Sequence, residues 1–265
     1  MDLPPIGLGT WELRGSQCTR IVENALDLGY KHIDTAHFYE NHEAIAQALK
    51  GHDRHSLYIT SKLAIDEEVD LSSIEDSVYR ACEKALKELK TDYLDLYLIH
   101  FPDQNFPLET IFVAMQNLVH QGKIHKAGVS NFTIHHLEDL RKAHLIPFAN
   151  QVEFHPHLNQ QALLDECNKH NIRLISFRSF GKGKLLEEPL FNQIGAQYNK
   201  TGAQVILRWL FQKGIASIPK GSSTEHLKEN FAIFDFSLTE EEMNKLDKLN
   251  KNRRYCLADS PEYNY

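Results

Sequence analysis

The 265-residue chain is short of several things, and each shortage narrows its class. Cysteine is scarce: Cys18, Cys82, Cys167 and Cys256 lie far apart and form no C-x-x-C pair. That spacing implies neither a zinc cluster nor a disulfide framework, and the four read as reduced thiols of a cytoplasmic protein. No run approaches the ~18 apolar residues of a membrane span. The opening residues, MDLPPIGLGTW, hold no basic stretch ahead of an apolar one, so no secretory signal is read there. Positive charge is in deficit, with 29 Lys and Arg against 36 Asp and Glu and a net of -7, which argues against a nucleic-acid binder. Nucleotide signatures are missing too. Gly7-Leu8-Gly9-Thr10-Trp11-Glu12 fails at the third glycine of G-x-G-x-x-G, Gly181-Lys182-Gly183 also fails, and there is no Walker A sequence. No H-E-x-x-H occurs, and the histidines of His135-His136 and His155-Pro156-His157 read as surface residues, with no metal site expected.

What is present is ordinary globular composition, 42% hydrophobic and 25% charged, with short apolar runs and helical patterns alternating from end to end. Candidate strands cover residues 6–9, 32–36, 58–62, 94–100, 127–130, 150–153, 173–177 and 216–218. Helical periodicity is clearest over residues 72–89, where Ile74, Val78, Ala81, Ala85 and Leu89 share one face. Similar patterns run over residues 165–170, 202–212 and 240–249. Ser72 with Glu75, and Thr239 with Glu242, have the spacing of capping boxes. Eight βα units with no linker predict one closed parallel sheet, a (β/α)8 TIM barrel of a single domain over residues 1–265. The length suits the ~250 residues typical of that fold. A doubly wound sheet is the alternative. The tail, residues 253–265, reads as short, polar and irregular.

Active sites of such barrels sit at the C-terminal ends of the strands. Asp34 lies at the end of the second candidate strand, Tyr39 in the loop after it, Lys62 at the end of the third and His100 at the end of the fourth. These four types make chemical sense together. A free tyrosine, with a pKa of ~10, is too weak an acid near neutrality. A cation beside it lowers that value, and Lys62 can supply the charge while Asp34 keeps the ammonium ionised. His100 can donate a hydrogen bond to a substrate oxygen. Such a site lacks only an electron source, so a hydride-carrying cofactor is implied. Taken singly, each residue has a plainer reading as a cap, as packing or as a core histidine.

These segments resemble the aldo-keto reductase family over residues 7–257. GYKHIDTAHFYENHEAIAQAL (29–49) is similar to the family's first signature and carries Asp34 and Tyr39. ITSKL (59–63) and LIHFP (98–102) resemble the segments of the catalytic lysine and histidine, and GVSNF (128–132) and NQVEFHP (150–156) resemble two further motifs. The resemblance implies that Tyr39 is the general acid, supported by Lys62 and Asp34, with His100 orienting the carbonyl. It implies an NADPH site in which Ser130, Asn131 and Gln151 hold the nicotinamide carboxamide and Phe177, in place of a tyrosine, stacks on the ring. Thr10, Trp11 and Asp34 would border that cofactor, with Ser179 and Phe180 along the pyrophosphate. IPKGSSTEHLKEN (218–230) resembles the adenosine-phosphate clamp, which assigns Lys220, Ser222, Ser223, His226, Glu229 and Asn230 to it. Gly221 stands where the family often has serine or threonine, and His226 where it has arginine. NADPH is therefore favoured over NADH, with the phosphate held less tightly than an arginine would hold it.

Substrate would meet Trp11, Tyr39, His100, Phe101 and the tail, whose shortness suggests an open pocket. Ala64 replaces a family tryptophan. The family's β-hairpin under the barrel floor has no counterpart ahead of the first strand. These features are most similar to short bacterial members resembling 2,5-diketo-D-gluconate reductase and methylglyoxal reductase. The expectation is a cytoplasmic monomer acting on a small-molecule carbonyl, with no nucleic-acid or membrane partner. Two other readings stay open. One is a lyase or isomerase of phosphorylated sugars that uses Lys62 as a Schiff base, with residues 181–184 and 219–223 binding phosphate. The other is a non-catalytic, NADP-binding role.

Overall fold

The structure is a computed structural model that describes residues 2–256 and 259–265. Eight parallel strands follow one another in chain order: β1 (Leu8–Gly9), β2 (His32–Asp34), β3 (Tyr58–Leu63), β4 (Leu94–Ile99), β5 (Ile124–Ser130), β6 (Ala149–Glu153), β7 (Arg173–Phe177) and β8 (Ala216–Ser217). Ile6 bridges to Ser217 in parallel, the Gly7 amide donates to Ser217 O at 2.8 Å, and the Gly9 amide donates to Pro219 O at 3.3 Å, so the first strand meets the last. The result is the (β/α)8 fold read from the alternating pattern. Every residue of β3 and of β4 is buried. That is why these strands are continuous apolar runs: one face fills the barrel and the other lies under helices. Tyr58, Leu96, Leu98, Ala149 and Ile175 fill the interior.

Local chemistry sets the helix starts. The box at Thr239 forms as expected: Thr239 Oγ accepts from the Glu242 amide at 3.2 Å, and Glu242 accepts from the Thr239 amide at 2.7 Å. A third box, Thr201 with Gln204, opens the helix Gly202–Gln212. The box expected at Ser72 does not form. That helix starts at Ile74 with Ser73 as its uncapped N-cap, because the Asp70 carboxylate takes the Ser72 hydroxyl at 2.8 Å. The helix expected over residues 165–170 is longer, Gln161–Lys169.

The histidines read as surface residues need correction. His135 is exposed, but His136, His155 and His157 are buried. Their rings face carboxylates or the tail: His136 meets Glu262 at 3.0 Å, His155 meets Glu153 at 3.0 Å, and His157 meets Tyr255 Oη at 3.4 Å. Cys18, Cys82 and Cys167 are buried with their thiols free. Burial pushes them up to about 11, about 12 and about 12.

Leu3 packs against the interior cluster, and the Ser217 amide donates to Pro5 O at 3.0 Å, so the segment before β1 lies along the barrel. His32 is fully buried beside it. Its Nε2 pairs with Thr60 Oγ at 2.9 Å, whereas its Nδ1 has no partner among the described residues. Gly7 has to be glycine at this spot, since a Cβ there would come within 2.6 Å of that Nδ1. Burial, helped by the nearby Lys62 charge, lowers His32 to about 3. The folded protein therefore keeps this ring neutral while the unfolded chain protonates it below ~6.5. Between those values the unfolded state carries the extra proton, so stability falls as pH falls, by about 1.4 kcal/mol per pH unit from this one group. Urea unfolding at pH 6 and pH 4.5 should show His32→Gln losing about 2 kcal/mol less than wild type across that interval. Equal losses would mean that His32 is protonated in the fold.

Candidate active site

The parallel register sets Asp34 of β2 beside Thr60 of β3, and Lys62 beside Leu98 of β4. Lys62 follows Tyr58 and Thr60 on alternate positions, so its side chain rises inside the barrel. It is 1% exposed. Its Nζ donates to Asp34 Oδ1 at 2.5 Å, to the Thr35 carbonyl at 2.9 Å and to Tyr39 Oη at 3.3 Å. Those three bonds use all three ammonium protons. Tyr39 comes from the short turn His37–Tyr39 just past β2. Its oxygen accepts from the lysine, which leaves its own O–H free to point away. The second Asp34 oxygen accepts from Gln151 Nε2 at 2.6 Å, across the barrel from β6. His100 follows β4, and its ring lies edge-on to Tyr39 at 5.8 Å. Asp34, Tyr39, Lys62 and His100 thus meet in one place.

The charges follow from burial and pairing. Burial works against the Lys62 ammonium, but Asp34 and Tyr39 together hold it above its ordinary value. Burial pushes the Asp34 carboxyl up, opposed by Lys62 and by the Gln151 bond. Tyr39 corrects a simple expectation: Lys62 does pull the phenol down, yet burial outweighs it, and the group titrates above its usual value. His100 is held well below the usual imidazole range by burial first, then by Lys62 and His37, so it is neutral at pH 7.

The expected cofactor residues divide into two groups. Thr10 Oγ donates to the Asp34 carbonyl at 2.8 Å, which fixes the end of β1. Ser130 Oγ donates to the Gln151 carbonyl at 2.8 Å, and Asn131 Nδ2 donates to the His100 carbonyl and to Ser130 Oγ, both at 3.0 Å. These sit together beside the four central residues. Phe177 ends β7, half-buried, with one side on the interior cluster. Ser179 is buried with its hydroxyl engaged by Ser176 Oγ at 2.9 Å, and Phe180 packs against the outer core. The second group surrounds the helix Thr224–Phe231. Ser223 caps it by accepting from the His226 amide at 3.2 Å, and Ser222 Oγ pairs with His226 Nδ1 at 3.1 Å. Glu229 is half-buried and Asn230 buried. A Cβ on Gly221 would meet Leu227 at 2.5 Å, which accounts for glycine there. Lys220 is not free: it pairs with Glu12 at 2.6 Å. Trp11 is 41% exposed and lies edge-on to Tyr39 at 4.9 Å, and Phe101 meets Tyr263 at 5.8 Å.

Several residues of the site carry no signal of their own type in the sequence. Asn41 donates to the Thr10 and Leu13 carbonyls at 3.0 and 3.1 Å and accepts from Thr35 Oγ at 2.6 Å, tying the β1 and β2 loops together. Glu12, Glu40, Asn131 and Arg178 have left-handed φ of 65°, 47°, 64° and 50°. All four lie in loops at the C-terminal ends of strands, while other left-handed residues, Lys90, His144, Asn171 and Asn199 among them, follow helices away from those ends. Glu153 was missed, although a carboxylate inside a buried strand needs partners and could have marked it. Its two oxygens accept from the Tyr255 and Cys256 amides, both at 2.8 Å, and so the tail is drawn over this end of the barrel rather than leaving it open.

The aldo/keto reductase family profile matches residues 5–251. A glyoxal reductase of Bacillus subtilis is 42% identical over 258 residues, 96% of this chain and 91% of that one. A 9,11-endoperoxide prostaglandin H2 reductase of Trypanosoma cruzi is 36% identical over 95% of this chain and 89% of its own. Among solved structures, an aldo/keto reductase from Brucella melitensis superposes with a TM-score of 0.86 at 35% identity, covering 94% of this chain and 95% of its own. The chain belongs to the aldo-keto reductase family. It is an oxidoreductase of carbonyl compounds on a (β/α)8 barrel.

Lys62→Met should fail in two separable ways. It strands Asp34 as a buried, unpaired carboxyl, which costs about 3–5 kcal/mol of stability. The double variant Lys62→Met/Asp34→Asn should recover most of the melting temperature and none of the reductase activity. Recovery of both, in melts and assays run side by side, would show the pair to be structural only.

Proposed function

We propose that this chain reduces small aldehydes and ketones, α-oxo-aldehydes and keto-sugar acids among them, with NADPH as the electron donor and Tyr39 as general acid. One observation carries the reading: Lys62 donates to Tyr39 Oη at 3.3 Å while Asp34 holds its charge. The phenol proton is thereby left for a substrate oxygen. When that proton departs, the phenolate forms against an ammonium already in place. A neutral His100 can give an N–H to the same oxygen, with Trp11 and Phe101 walling the substrate. The glyoxal reductase among the relatives is named for a small dicarbonyl, which supports this substrate class.

The residues present fit a nicotinamide dinucleotide. Gln151, Ser130 and Asn131 offer amide and hydroxyl groups beside Tyr39, and Phe177 offers an aromatic face. Bound there, the reduced cofactor supplies the hydride. Ser222, Ser223, His226 and the helix start suit the adenosine phosphate. Lys220 bears on NADPH over NADH, and its pairing with Glu12 bears on how strongly. Glu12 is held below the usual carboxylate range by Lys220, with Arg178 and Lys182 adding to it. A 2′-phosphate must compete with that carboxylate. The pair is exposed and hence weak, so the competition is mild. A cytoplasmic monomer acting on small molecules completes the proposal; among the described residues no helix is long and apolar enough to cross a membrane.

The Schiff-base alternative fits poorly. Lys62 has all its protons engaged and is held cationic, so it offers no free amine.

Loss of absorbance from NADPH with methylglyoxal as substrate tests the reaction. Tyr39→Phe should lower turnover by ~10²–10⁴ while the NADPH dissociation constant barely moves. Unchanged turnover would remove Tyr39 from the role. Lys220→Ala should weaken NADPH roughly tenfold and leave NADH alone, since a charge-assisted contact is worth ~1.5–3 kcal/mol. Glu12→Gln should tighten NADPH only. Equal effects on both cofactors would move Lys220 out of the 2′-phosphate site.

A further inference from the structure

The tail is fastened at several points beyond Glu153. Glu262 is 8% exposed and accepts from the Gln104 amide and Nε2, both at 3.3 Å, and it meets His136 Nε2 at 3.0 Å. Tyr265 Oη donates to Asp139 Oδ2 at 2.5 Å, and its carbonyl accepts from Thr133 Oγ at 3.0 Å. Between these rivets, Tyr263 Oη donates to Asn131 Oδ1 at 3.1 Å. The Arg254 guanidinium lies 3.7 Å above the Tyr263 ring, and Phe101 stands edge-on to it.

The Asn131 bond has a particular consequence. Its Nδ2 already serves the His100 carbonyl and Ser130 Oγ, so Oδ1 is what this side chain can offer an incoming N–H donor. A carboxamide presents an N–H donor to such an oxygen, and the Tyr263 phenol presents its O–H in that place. We propose that Tyr263 is a placeholder for the nicotinamide carboxamide on Asn131, and that residues 259–265 must withdraw from the loops after β4 and β5 as the dinucleotide enters. This rests on the reading of Asn131 as a cofactor ligand. The root of the tail stays fixed, because the Glu153 bonds to residues 255 and 256 are separate from the contacts that give way. Cofactor binding and release of the chain end are then one event, and the affinity measured for cofactor includes the work of breaking the Tyr263 bond.

Two measurements test it. Tyr263→Phe keeps the ring against Phe101 and Arg254 but removes the hydroxyl, so it should bind NADP+ about threefold to tenfold tighter than wild type in a fluorescence titration. In wild-type protein, carboxypeptidase should remove Tyr265 faster with saturating NADP+ than without it. Weaker or unchanged binding in Tyr263→Phe, or slower removal of Tyr265 with NADP+, would overturn the placeholder, the latter by showing that the tail closes on the cofactor. Asn131→Ala separates this from the underlying reading. If it leaves NADP+ affinity untouched, Asn131 is no cofactor ligand and both ideas fall. If it weakens NADP+ while Tyr263→Phe is neutral, only the placeholder falls.

Discussion

Burying one ammonium organises this end of the barrel. An ion taken out of water costs several kcal/mol even after relaxation, and only close acceptors in fixed places repay it. Lys62 finds them on one short stretch of chain across the strand boundary: the last residue of β2, the carbonyl after it, and the turn that carries Tyr39. The obligation spreads from there. Asp34 is held from across the barrel by Gln151, and its carbonyl receives Thr10, which Asn41 holds in turn. Strands β1, β2, β3 and β6 are thus locked in height relative to one another by the requirements of a single cation.

The same constraint has a chemical side. A lysine held only by a carboxylate would be a mere ion pair. Here its third proton is spent on a phenol, which turns the pair into a device that orients a hydroxyl. In the resting site burial keeps that phenol protonated, above its ordinary value, so the acid is loaded before substrate arrives. The neutral imidazole of His100 adds a donor without adding a second positive charge near Lys62. At the far end, Lys220 rests against Glu12 in an exposed contact that is easily exchanged. One cation is committed and buried, the other exposed and open to trade, and the two ends of the proposed cofactor site differ accordingly.

The barrel and its central residues were legible because both are written in local pattern. Alternating strand and helix periods gave the fold, and the tetrad residues sit at strand ends, where position alone brings them together. Other features depend on distant partners. The start at Ile74 rather than Ser72 was decided by Asp70, a carboxylate just outside the apparent capping box. The burial of His136 and His157 was not legible because their partners, Glu262 and Tyr255, lie in the tail over ninety residues away, whereas His155 is held by Glu153 two residues before it. Glu12 and Tyr263 bear no motif at all. Their importance lies in what they touch, and single-residue chemistry cannot show that.

The three thiols enclosed in the barrel wall have a bearing on durability. A thiolate attacks electrophiles and a neutral thiol does so poorly. Cys18, Cys82 and Cys167 are inaccessible and pushed up to about 11, about 12 and about 12, and burial also raises Cys256 near the mouth. An enzyme whose proposed substrates are themselves electrophilic dicarbonyls would then present them with almost no sulfur nucleophile. Damage through sulfur in their presence would then be set by how often the fold opens.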